Sequence, residues 1–128
     1  MKAIFDRESN GKIFPLGNLL HLILASNIVT IEDTFRLLRI GGIGDEVWRY
    51  ESEVDEGHEI CLRLRDIISL AQNPNVILNE LYCSNQSLDF GISDSSFMFI
   101  QAIDKQAEQL VAKDFNNVRD LPDRKQQL

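Results

Sequence analysis

Hydrophobic positions along the chain switch between two periods, and the elements follow from where each period holds. Leu16, Leu19, Leu20, Ile23 and Leu24 recur at i, i+3, i+4, i+7 and i+8, the spacing of a helix with one face buried. Ahead of it, Ala3-Ile4-Phe5 and Lys12-Ile13-Phe14 flank Glu8-Ser9-Asn10-Gly11, and the Asn-Gly pair predicts a β-hairpin because both residues tolerate positive φ. A second helix is predicted from Thr30 as N-cap through Ile31, Phe35 and Leu38, with Glu32 and Arg36 paired at i, i+4 and Gly41-Gly42 as its end. Glu46 to Val54 reads as a strand, with Trp48, Tyr50 and Val54 alternating with Arg49, Glu51 and Glu53.

Asp55 is then the predicted cap of a third helix carrying Ile60, Leu64, Ile67, Ile68 and Ala71, interrupted at Asn73-Pro74. Val76 to Cys83 fits both a helix opened by Pro74 and a buried strand. Two strands follow, Leu88 to Ile92 and Phe97 to Ala102, around the turn Ser93 to Ser96. A last helix is predicted from about Asp104 to Phe115, and a polar tail from Arg119. The sum is a single α+β domain over residues 1–118, with a mostly antiparallel sheet of about five strands against four or five helices, and a tail over 119–128.

At 128 residues with 44% hydrophobic positions, the chain is long enough for its own core without staples. Its most apolar run, Leu16 to Val29, is broken by Asn18, His21, Ser26 and Asn27 and falls short of the roughly 20 residues that span a bilayer. Asp6 and Arg7 interrupt the opening residues before an apolar signal segment forms, so a cytoplasmic location is expected. Cys61 and Cys83, both among apolar neighbours, are expected to be reduced and packed.

Charge changes the picture more than composition does. Of the net charge of −7, the window Asp45 to Glu59 holds −6, seven acids against one base, leaving 13 acids and 12 bases elsewhere. Direct binding to nucleic-acid phosphates is disfavoured by that balance. The acidic run fits a solvated face, but it also contains the one tryptophan and one of the two tyrosines. Asp45, Glu46, Trp48, Tyr50, Glu51, Glu53, Asp55, Glu56 and Glu59 therefore form the candidate partner-binding set: aromatics as anchors, carboxylates for steering a basic partner. As a strand, the segment would put Trp48 and Tyr50 on one face, toward either partner or core, and Glu51, Glu53 and Asp55 in a row on the other.

Catalytic signals are thin. His58-Glu59-Ile60-Cys61-Leu62 begins like a zinc-protease motif but has Leu62 where the second histidine belongs, so no metal is expected. Gly41-Gly42-Ile43-Gly44 follows a predicted helix and precedes Asp45-Glu46, the reverse of a phosphate loop. No nucleophile has a local signature, and neither catalytic residues nor a cofactor are expected.

In size, acidity and the aromatic-flanked stretch Trp48-Arg49-Tyr50-Glu51-Ser52-Glu53, the chain resembles the small acidic immunity proteins of bacterial toxin systems, including those of contact-dependent growth inhibition. The strand pair from Leu88 to Phe99 is similar to sheet segments of such proteins. The resemblance implies an inhibitor that neutralises a basic, nuclease-like toxin domain through its acidic surface. Two other readings remain open: an adaptor or secretion chaperone acting as a dimer, and a small ligand-binding domain or enzyme with His21 and Tyr82 in a pocket.

Overall fold

Two strands, Leu88–Ser93 and Phe97–Ala102, are buried at nearly every position, and the molecule packs on both of their faces. A computed structural model describes residues 1–8, 11 and 13–124. β1 (Lys2–Ile4), α1 (Leu16–Ala25), β2 (Thr34–Ile43), α2 (Asp45–Asp55), β3 (Cys61–Arg63), α3 (Leu64–Gln72), β4 (Ile77–Ser84), β5 (Leu88–Ser93), β6 (Phe97–Ala102), α4 (Lys105–Ala112) and β7 (Val118–Asp120) follow in order. The strands form one sheet, β3-β2-β4-β5-β6-β1-β7, in which every pairing is antiparallel. The fold is α+β, with seven strands and four helices among the described residues.

One sheet face carries Phe35, Leu37, Leu81, Cys83, Phe90 and Ile100, which pack into a single cluster with Leu19, Leu20 and Ile23 of α1 and Leu64, Ile67 and Leu70 of α3. The opposite face carries a smaller cluster of Met1, Tyr82 and Phe99, with Leu38, Phe97 and Leu121 against it. Along β4 and β6 the two clusters alternate residue by residue, as a pleated strand requires.

α1, β5, β6 and α4 lie where the sequence pattern puts them, and Asp104 caps α4 by accepting from the N–H groups of Gln106 (3.0 Å) and Ala107 (3.3 Å). The segment left open between helix and strand is a strand, β4. Elsewhere the pattern misled. The helix predicted from Thr30 to Leu38 is instead β2: Phe35 and Leu37 point to the core while Thr34 and Arg36 face water, a period of two that a helix reading of Ile31, Phe35 and Leu38 overlooks. Asp33 still turns the chain, accepting from the Thr30 N–H at 2.8 Å, but no helix follows. Glu32 pairs with Arg63 (3.4 Å) and Arg65 in place of Arg36.

The strand predicted from Glu46 to Val54 is α2, where Val47, Tyr50 and Val54 face the core at i, i+3 and i+7. Asp45 and Glu46 in its first turn complement the helix dipole. The third helix starts nine residues after Asp55, because Cys61–Arg63 first pairs with β2; Asp66 then accepts from the Arg63 N–H at 3.2 Å. β1 pairs with β6 and β7 instead of with residues 12–14, although the loop does close through Glu8 N–H to Ile13 O at 2.8 Å. Ser9, Asn10 and Lys12 of that predicted hairpin lie outside the described residues. Arg119 and Asp120, assigned to the tail, complete β7, while 125–128 lie outside the description. Cys83 is buried, and burial pushes its thiol up; Cys61, on the edge strand, is exposed where packing was expected.

The Gly41-Gly42 pair ends no helix. It lies inside β2 at a register slip against β4, where Gly42 takes a φ of 150°. A Cβ on Gly42 would drive into the carbonyl oxygen of Ile77. Gly42→Ala is therefore expected to lose about 2–4 kcal/mol through backbone strain and steric displacement combined, read as a fall in urea midpoint at unchanged slope.

Candidate protein-docking surface

The acidic window folds into a helix with its flanks, and the helix regroups its side chains. At about 100° per residue, Asp45, Trp48, Glu51 and Asp55 share one stripe, whereas Glu46, Arg49 and Glu53 fall on the other side of the core-facing residues. The single carboxylate row expected of Glu51, Glu53 and Asp55 is thus divided, because a helix does not return every second residue to the same face. Tyr50 is half-buried against the core with the Arg49 guanidinium 5.0 Å from its ring centre. Trp48 is different: it leaves 51% of its surface in water.

α2 runs back along β2 and packs chiefly on it. The Trp48 indole Nε1–H donates to the Gly42 carbonyl at 3.1 Å, fixing the ring at the end of β2. Next to that carbonyl, Ile43 is the register partner of Ile77 on β4, and the two are 55% and 41% exposed. Trp48, Ile43 and Ile77 are thus large apolar side chains gathered at one end of the sheet. Glu51 Oε2 and Glu80 Cβ lie 3.7 and 3.6 Å from where a Gly41 Cβ would sit, which brings Glu80 of β4 to the same rim. Ile43, Ile77 and Glu80 were missed in the sequence because only the β2–β4 pairing assembles them.

Three of the window's seven carboxylates have a basic group within 4 Å, and two further arginines pair outside it. Arg36 reaches Glu59 at 3.6 Å, Arg49 reaches Glu46 at 4.0 Å, and His58 lies 3.9 Å from Glu56. Arg63 and Arg65 are taken by Glu32. Asp45, Glu51, Glu53 and Asp55 have no ion pair among the described residues. Three of those four lie on the Trp48 stripe. Moreover, the last turn of α2 contains Glu53 and Asp55 and no base, the charge arrangement that the helix dipole opposes.

His21 and Tyr82 do not share a pocket. His21 is exposed on α1, in an open groove whose Asp6 already spends both carboxylate oxygens on the N–H groups of Asn116 (2.8 Å) and Asn117 (2.7 Å). Tyr82 lies on the far face of the sheet, donating its hydroxyl to Asp89 Oδ2 at 2.8 Å. Among the described residues, no three His, Cys, Asp or Glu side chains are placed to hold a metal, and no helix is long and apolar enough to cross a membrane.

Burial, together with the bond to Asp89 and that carboxylate's charge, raises the Tyr82 hydroxyl from 10.0 to about 12. A folded value above the unfolded one means that protonated Tyr82 adds stability in full below pH 10, and that this is lost as pH climbs from 10 to 12. Absorbance at 295 nm should show a phenolate step near 12 that Tyr82→Phe removes. The variant strips a donor from a buried carboxylate and should cost about 1–3 kcal/mol at pH 7, a difference that shrinks across pH 10–12.

Comparison with family models, with curated proteins and with solved structures gave no match.

Proposed function

We propose that this chain is a binding protein that neutralises a basic protein domain, in the manner of a toxin-immunity protein, by presenting α2 and the adjoining end of the β2–β4 pair. The observation that carries the reading is the exposed Trp48 ring set among Asp45, Glu51 and Asp55, none of them ion-paired within the described residues. A half-exposed tryptophan beside two exposed isoleucines supplies apolar area that a partner can bury, the pattern of a binding hot spot. The carboxylates around it place negative charge where a nuclease-like cleft would hold phosphates. At physiological salt their field reaches about 8 Å before screening takes over, far enough to orient an approaching basic surface.

Stability accounts for Asp45 and Glu46 in the first turn of α2 but gives no reason for Glu53 and Asp55 in its last. Carboxylates at the C-terminal end of α2 oppose its dipole, which supports a role in recognition over one in folding. Asp55→Asn separates the two effects: it should raise folding stability by about 0.3–1 kcal/mol while slowing association. Equilibrium unfolding measures the first and stopped-flow binding the second.

The function itself is tested by capturing the partner from source cells at low and moderate salt, identifying and purifying it, and measuring kinetics with the purified pair. Neutralising Asp45, Glu51, Glu53 and Asp55 together should lower the association rate 10- to 100-fold at low salt and flatten its salt dependence. Trp48→Ala should act on dissociation, weakening affinity by roughly 30-fold or more, the 2 kcal/mol of a hot spot. An unchanged association rate in the neutralised variant removes the electrostatic basis of the reading. Failure of the purified chain to inhibit the partner's activity removes the immunity role.

A further inference from the structure

The far face of the sheet, away from α2, brings a buried carboxylate, two aromatic rings and a guanidinium together. Asp89 is 1% exposed, and among the described residues its two oxygens accept from neutral donors only, Tyr82 Oη at 2.8 Å and Ser84 Oγ at 2.6 Å. Over the same Tyr82 ring, and over Phe99, stands the Arg124 guanidinium, 5.5 and 4.4 Å from the ring centres, with Nη2 donating to Ser93 Oγ at 3.1 Å. Aromatic faces backed by a buried carboxylate are a receptor for a planar cation.

Arg124 arrives on residues 121–124, which belong to no helix or strand and are held as a bound peptide is held. The Gln101 side-chain amide donates to the Arg124 carbonyl at 2.8 Å and accepts from its N–H at 2.6 Å, standing in for a neighbouring strand. Leu121 exchanges main-chain bonds with Met1 at 3.0 and 3.1 Å. The Asp123 carboxylate meets the Met1 ammonium and Lys105 Nζ, the latter at 2.7 Å. Pro122 and Asp123 are exposed and Leu121 only half-buried, so little apolar surface ties the segment down. Segments fastened mainly by polar contacts open without global unfolding.

We propose that this face is a binding site for an arginine-bearing extended segment of a partner protein, occupied within the chain by Leu121–Arg124 as an internal ligand that the partner's segment displaces. The tether gives the internal copy an effective concentration of order mM, so an external segment competes only when it binds more tightly or when the internal arginine is lost. The site shares no side chain with α2, and its test is independent of the immunity reading.

The experiment uses full-length, isotope-labelled chain and an acetylated, amidated hexapeptide with the sequence of residues 119–124, followed by NMR. With the Arg124→Ala chain, saturable shifts are expected at Tyr82, Phe99 and Gln101, with affinity at least tenfold above that for the unaltered chain. A peptide ending in alanine in place of arginine should give none. Equal affinity for both chains, no saturable shift in a folded variant, or shifts away from this face would overturn the proposal. Should Arg124→Ala fail to fold, hydrogen exchange on the unaltered chain decides. An Arg124 amide that exchanges at least tenfold faster than that of Phe99 supports an opening segment, and one that exchanges only with the whole sheet refutes it.

Discussion

The pairing of β2 with β4 is the constraint on which the rest of the molecule depends. It joins the short β3 edge to the central strands and sets Ile43 opposite Ile77. It also requires glycine at position 42, where the carbonyl of Ile77 occupies the space a side chain would need. α2 packs along β2, and the carbonyl of Gly42 gives the Trp48 indole its only hydrogen-bond partner among the described residues. The candidate docking surface is therefore a consequence of strand register, with the acidic helix delivered to its place by the strand before it.

On the two sides of the sheet the molecule treats charge in opposite ways. Around α2 carboxylates stand in water with few cations near them. On the far face one carboxylate, Asp89, is almost fully covered and spends its lone pairs on Tyr82 and Ser84. Exposed carboxylates retain their hydration and a field that reaches outward, whereas a buried one must be satisfied internally or it destabilises the fold. The first arrangement suits long-range steering and the second suits short-range recognition of a group that enters the site. The two readings proposed for these faces follow that physical difference.

How much was legible varied with how many rules a segment satisfied at once. α1 carries five apolar positions on one helical stripe, and α4 adds an aspartate cap, so in each case spacing, length and termini agree. β5 and β6 alternate about a short polar turn. β2 and α2 were misread as each other's type. Phe35 and Leu38 fit a helical spacing, and Trp48 and Tyr50 a strand spacing, when only three or four apolar positions are available to decide. What settled α2 was burial of Val47, which the strand reading left on the wrong face.

By itself the sequence determined the α+β class, the capacity for a core, and the concentration of negative charge between Asp45 and Glu59, since these depend on composition and local order alone. Only the tertiary structure decided which carboxylates share a face, that Trp48 is half in water, and that Ile43, Ile77 and Glu80 join it. It alone brought Arg124 over Tyr82 and Phe99 from a segment that reads as a polar tail. The reason is that side-chain direction follows from the element's period, and neighbours across a sheet follow from register, which residues far apart along the chain fix together.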